Sequence, residues 1–180
     1  MKRTVKMNVT SIVSVALMTA LISVCSLVAI PAPLPITLQT FAIYFSLFVL
    51  GGYRGTISVI LYVLIGAVGL PVFAGATAGV FRLFDATGGF IFGFVVAAIL
   101  FWLFSMLLPS NGKSALLCAF LSLCFLYAIG ALWFAFVYLN GKESIMYVLY
   151  VCVFPFILPD AVKIFLAYFL AKKVKRIINI

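Results

Sequence analysis

Apolar residues run nearly unbroken along this chain, and the interruptions between the runs are short and either polar or rich in glycine and proline. The runs lie at about 9–30, 36–50, 56–72, 90–108, 114–139 and 159–175. A helix needs about 20 mostly apolar residues to cross a bilayer, so the pattern predicts six short spanning helices joined by tight connectors.

The connectors carry their own signals. Pro31, Pro33 and Pro35 hold an extended link, because each proline biases the residue before it away from helix. Gly51-Gly52-Tyr53-Arg54-Gly55, Pro109-Ser110-Asn111-Gly112-Lys113 and Asn140-Gly141-Lys142-Glu143 are expected turns. The longest irregular stretch, from Phe73 to about Gly89, holds Ala74-Gly75-Ala76-Thr77-Ala78-Gly79, then Arg82 and Asp85 at a spacing that lets them pair. Residues 144–175 exceed the needs of one span. Pro155 and Pro159 are expected to divide them into a short outer segment and a sixth span starting near Pro159. Asp160 then sits close to that helix's N-terminus, where the dipole favours an anion. Lys2, Arg3 and Lys6 before an apolar run imitate a signal peptide. That run is longer than the usual h-region of about 7 to 15 residues and lacks a clean A-x-A site, so it counts as the first span.

Composition agrees with the pattern. Of 180 residues, 67% are hydrophobic and 8% charged, which excludes a soluble domain. The expectation is an all-α integral membrane protein, a single domain over 1–180 with six transmembrane helices in one bundle. No GxxxxGK[ST] phosphate loop occurs, so ATP hydrolysis by that route is excluded. Histidine is absent, and the acids are Asp85, Glu143 and Asp160 alone. Cys25, Cys118, Cys124 and Cys152 lie singly in apolar runs and read as small hydrophobes. Neither a catalytic constellation nor a metal site is predicted.

The net charge of +9 bears on topology. If six spans alternate, Lys2, Arg3, Lys6, Arg54, Lys113, Lys172, Lys173, Lys175 and Arg176 fall on one side with both termini, and the positive-inside rule makes that side cytoplasmic. These residues sit at span ends, so their charge speaks for topology and anionic lipid, not for nucleic acid. Arg82, Asp160, Lys163 and the irregular connectors 31–40 and 73–87 then share the external side, which places a candidate pocket there.

Asp160 and Lys163 are the leading candidates for that pocket. A charge at mid-bilayer costs about 2.5 to 3.5 kcal/mol. A same-helix pair three residues apart returns about 0.2 to 0.5 kcal/mol at a surface, so a further partner is expected. An ion pair closing the bundle is the competing reading. A lysine there suits a ligand carboxylate, and an aspartate suits N–H donors. Tyr127 and Gly130, ahead of Trp133, mark one face of the fifth run, as an interfacial belt or as the apolar wall of a pocket. Gln39 and Thr37 either cap a span or bond a ligand. Ala16 and Ala20 form a small-xxx-small pair, repeated by Ala167 and Ala171, which permits close approach of a helix within the bundle or from a partner.

Read together, Pro35-Ile36-Thr37-Leu38-Gln39-Thr40-Phe41, Gly69-Leu70-Pro71-Val72-Phe73-Ala74-Gly75, Ala86-Thr87-Gly88-Gly89-Phe90, Gly130-Ala131-Leu132-Trp133-Phe134 and Pro155-Phe156-Ile157-Leu158-Pro159-Asp160-Ala161-Val162-Lys163 resemble the BioY family. These are the biotin-specific substrate-binding (S) components of energy-coupling factor (ECF) transporters. The blocks follow the family's order over most of the chain.

The resemblance implies a six-helix S component of the cell membrane that captures biotin from outside and needs no cofactor. It implies partners: a transmembrane coupling subunit and two cytoplasmic ATPases, which accounts for the missing nucleotide site. It implies a pocket closed by connectors 31–40 and 73–87, with Asp160 and Lys163 as the family's charged pair and Ala16 and Ala20 as the contact to the coupling subunit. Trp133, Gln39, Thr77, Arg82 and Tyr127 complete the expected substrate-binding set. Lys163 is assigned to the ligand carboxylate and Asp160 to a ureido N–H, or the reverse. The chain departs from the family at Asp85-Ala86, where Gly-Pro is usual, and at Ala76-Thr77-Ala78, where Thr77 alone replaces an amide side chain. An S component for another vitamin, a self-sufficient carrier and a membrane enzyme are the other classes.

Overall fold

A computed structural model describes residues 8–30 and 34–178. The basic N-terminal residues Lys2, Arg3 and Lys6 and the connector prolines Pro31 and Pro33 lie outside the described residues.

Helix α1 (Val9–Leu27) is followed by a two-stranded antiparallel clip in which β1 (Ala29–Ile30) pairs with β2 (Ile36–Thr37), in the register Ala29 to Thr37 and Ile30 to Ile36. Helices α2 (Gln39–Leu50) and α3 (Gly52–Val68) come next. An irregular segment, 69–87, contains one short 3-10 turn at Val80–Leu83. Then follow α4 (Gly88–Leu107) and α5 (Gly112–Trp133), whose end winds on as a π-helical turn over Phe134–Tyr138. A short α6 (Ile145–Cys152) and a long α7 (Phe154–Ile178) complete the chain.

Four segments are long and apolar enough to cross a bilayer: Val9–Leu27, Gly88–Leu107, Gly112–Tyr138 and Ile145–Ile177. Helix α2 is not. Its 12 residues reach about 18 Å, well short of a hydrocarbon core of about 30 Å. It is also the most enclosed helix, with every residue from Ala42 to Phe48 buried and with α1, α3, α4 and α7 packed around it. Space beyond its N-terminus is therefore walled by its longer neighbours, and the cavity described below occupies it.

Polar side chains tie the helices together inside the bundle. Thr56 donates to the Ala98 carbonyl (3.0 Å) and joins α3 to α4, while Tyr44 and Ser122 (3.0 Å) join α2 to α5. Thr19 donates to the Ser58 carbonyl and Ser58 to the Val15 carbonyl, at 3.2 and 3.3 Å, a reciprocal link between α1 and α3. Each such bond contributes about 0.6 kcal/mol in a membrane protein. Ala167 and Ala171 are 0% and 1% exposed, so this small-residue pair serves the packing of α7 into the bundle.

Helices α1 and α3 end at Leu27 and Val68, short of the predicted 30 and 72, and two further boundaries differ from those predicted. Gly51 makes the reversal between α2 and α3 alone, at φ +79°, so Tyr53 and Arg54 belong to α3. The last long helix starts at Phe154, not near Pro159. The break falls at Val153 (φ −122°, ψ −59°), Pro155 occupies the first turn, where its missing N–H is no loss, and Pro159 lies inside the helix. Asp160 is thus the seventh residue of α7, beyond the one turn over which a helix dipole acts, and its charge is met by side chains instead.

Candidate functional site

A cavity of about 640 Å³ opens at the end of the bundle that carries the clip and segment 69–87. This size lies within the range usual for small-molecule sites, about 300 to 1,000 Å³. The clip with the start of α2, Tyr62 of α3, segment 69–87, the first half of α4, the second half of α5 with its π-helical turn, and the first turns of α7 build it.

At the buried end, Lys163 Nζ donates to Asp160 Oδ1 (2.8 Å) and Tyr127 OH donates to Asp160 Oδ2 (2.9 Å). Asp160 is 2% exposed and Lys163 9%. Both carboxylate oxygens are engaged, yet the lysine has two further N–H donors and the carboxylate further lone pairs. The pair is neutral as a whole. A lone buried charge costs several kcal/mol, so such a cluster accepts a neutral polar group far more readily than a second anion.

Gln39 Nε2 donates to Tyr62 OH (2.9 Å), and its amide oxygen, on the cavity side of α2, has no hydrogen-bond partner among the described residues. The Gln39 backbone N–H is met by Thr37 Oγ1 at 3.2 Å, a local side-chain turn that leads the chain into α2. Phe73 stands edge-on to Tyr62, with ring centroids 5.7 Å apart and planes at 82°. Together with Phe90, Phe94 and Phe156 they give the cavity an aromatic wall.

Segment 69–87 is pinned at its α3 foot and at its middle. Ser26 donates to the Val72 carbonyl, and the Gly79 N–H to the Gly66 carbonyl at 2.8 Å. Phe73 lies over Gly66 so closely that a β-carbon there would come within 2.3 Å of the ring. Gly66→Ala is therefore expected to displace Phe73 from the wall and to cost about 1 to 3 kcal/mol, read as a lower thermal midpoint together with weakened ligand binding. Near the other foot, Arg82 Nη1 meets Asp85 Oδ2 at 2.6 Å, with side chains 41% and 38% exposed, and Asp85 Oδ1 accepts the Ala86 N–H at 2.7 Å. Arg82 faces the open end of the cavity as Lys163 faces the buried end.

Of the residues singled out in the sequence, Asp160, Lys163, Tyr127, Gln39, Thr77 and Arg82 all line this one cavity. Thr77 does so with its hydroxyl proton given to the Ala74 carbonyl (3.0 Å) and its backbone paired with Phe73, so it shapes the loop. Trp133 does not line the cavity. Six residues along an α-helix turn it about 120° from Tyr127, so the two cannot share a face. Its ring lies behind segment 69–87, against Phe84 and Phe92, and Nε1 donates to the Asp85 carbonyl at 3.1 Å. Tyr62 and Tyr138 line the cavity without having been singled out. The signal for Tyr62 was present, since a tyrosine inside an apolar run needs a partner for its hydroxyl. Ala16 and Ala20 are exposed on the outer face of α1, away from the cavity.

Apolar helices enclosing a pocket with a neutral charged cluster at its buried end define a multi-pass membrane protein that holds a small polar molecule. The chain belongs to the BioY family, whose model matches residues 1–180. It is 37% identical over 163 residues to the probable biotin transporter BioY of Pyrococcus horikoshii, covering 89% of this chain and 93% of that one. It is 35% identical over 167 residues to the biotin transporter BioY of Thermotoga maritima, covering 92% and 96%. Its fold matches the crystal structure of the S-component for biotin from an ECF-type ABC transporter, with a TM-score of 0.84, 26% identity, and coverage of 98% of this chain and 95% of that chain.

Proposed function

We propose that this protein captures biotin from the external side of the cell membrane and serves as the S component of an ATP-driven ECF transporter. Helices α1 to α5 and α7 form a six-helix membrane bundle with both termini in the cytoplasm, in which the chain completes the crossing at α2 through the clip and the cavity beyond its N-terminus. The sequence carries no GxxxxGK[ST] phosphate loop, and in this reading a transmembrane coupling subunit and two cytoplasmic ATPases supply the work, with Ala16 and Ala20 at the contact. The observation that carries this reading is the buried Asp160–Lys163–Tyr127 cluster within the enclosed cavity, in a chain whose relatives are named biotin transporters.

Charge decides how the ligand lies. Biotin has a neutral ureido ring at one end and a carboxylate at the other. A carboxylate beside Asp160 and Lys163 would put two negative charges on one positive charge out of water, whereas the ureido group adds N–H donors and a carbonyl with no net charge. The ureido ring therefore goes to the buried cluster and to the amide oxygen of Gln39, in place of the carboxylate that the sequence reading expected at Lys163 or Asp160. The bicyclic body lies on the aromatic wall of Phe73, Phe90 and Phe94. The carboxylate reaches Arg82, whose guanidinium has five donors and shares only part of them with Asp85.

Two measurements test this. Mass spectrometry of the small molecule that co-purifies with the protein should find biotin, and other vitamins should fail to displace labelled biotin; equal competition by another vitamin would reassign the substrate. Arg82→Gln should erase the preference for biotin over its neutral methyl ester. A preference that persists would move the carboxylate elsewhere.

A further inference from the structure

Trp133, standing at the back of segment 69–87, has a task other than lining the cavity. Its indole N–H is spent on the Asp85 carbonyl, at 3.1 Å. The same Asp85 holds Arg82 through one carboxylate oxygen and the Ala86 N–H through the other. Backbone and side chain of Asp85 are thus fixed on three sides, and Arg82 is aimed from a residue that α5 itself clamps. The fit between the helices is close. A β-carbon on Gly89 would fall 2.2 Å from Trp133 Cβ, and one on Gly88 would fall 2.0 Å from the Leu83 carbonyl oxygen and 3.2 Å from the indole nitrogen. The start of α4 is therefore shaped to let the indole reach the loop. Immediately after Trp133 the helix changes to the π-turn that brings Tyr138 to the cavity. Insertions of this kind re-aim side chains and cluster at functional sites.

We infer that Trp133 is a positioning residue for ligand recognition: through its N–H bond to the Asp85 carbonyl it holds the Arg82–Asp85 pair where Arg82 meets the anionic end of the ligand. This rests on the assignment of the biotin carboxylate to Arg82. A residue that merely packs would affect all ligands alike, whereas a residue that aims Arg82 affects only those with a negative charge at that end.

The test compares biotin with its methyl ester on the full-length protein in detergent. Trp133→Phe keeps a ring and removes the donor. It should weaken biotin binding about five-fold, the worth of one hydrogen bond, and leave the ester unchanged. Benzothienylalanine incorporated at position 133 replaces only the N–H by sulfur and should behave the same way, which keeps the test available if the phenylalanine variant does not fold. Equal weakening of both ligands, or of neither, by the sulfur analogue would overturn the positioning role. Arg82→Gln run alongside separates the two claims. If it erases the preference while the analogue leaves it intact, the Trp133 inference alone falls; if it leaves the preference intact, the carboxylate assignment falls first and this inference with it.

Discussion

Asp160→Ala is expected to lower biotin affinity by about a hundredfold or more, the largest effect of any single change at the site. Truncating one partner of a buried ion pair leaves the other charge uncompensated, at about 3 to 5 kcal/mol. Here Asp160 also accepts from Tyr127, so its removal leaves a buried hydroxyl without its acceptor as well as Lys163 without its counter-charge. Lys163→Ala should be comparably damaging, because it strands the carboxylate. The fold must be separated from the site. Asp160→Ala combined with Lys163→Met removes both charges and should recover much of the lost thermal stability while biotin binding stays lost. Equilibrium titration with labelled biotin, beside thermal unfolding of each variant, reads the two effects apart. Binding unchanged in both Asp160→Ala and Lys163→Ala would remove the pair from the site.

That pair was legible from sequence because a charge inside an apolar run is a one-dimensional signal: its cost is known, and a same-helix neighbour cannot offset it. The connectors were legible for a similar reason, since proline and glycine punctuate locally. What depended on rotation about a helix axis was not. Tyr127 and Trp133 look adjacent in a list of aromatics, but about 100° per residue sends one to the cavity and the other to the back of the loop. The start of α7 was misplaced because either Pro155 or Pro159 is acceptable in a first turn, and only tertiary packing, with α6 ending at Cys152, selects the earlier one. Tyr62 carried a local signal in its hydroxyl, which needs a partner inside an apolar run, whereas Tyr138 reaches the cavity only through the π-helical turn that ends α5, which no local pattern announces.

The second large effect belongs to the opposite property of the molecule, its outer surface. Ala16 and Ala20 are exposed on α1, whereas the same spacing at Ala167 and Ala171 is sealed in the core. In lipid there is no hydrophobic gain from covering an apolar helix, so close backbone approach over small residues is what favours association. A tryptophan adds on the order of 150 to 250 Å² of side chain and holds a partner helix off. Ala16→Trp and Ala20→Trp are each expected to abolish co-purification with the coupling subunit and biotin uptake by cells, while biotin affinity of the isolated protein stays at the parental value. The cavity and α1's outer face do not share residues, which is why the two readouts should separate. Leu103→Trp, placing the same bulk on an exposed position of α4, should leave association intact. Loss of affinity together with loss of association would indicate misfolding of α1. Normal uptake by both alanine variants would show that the coupling subunit docks on another face.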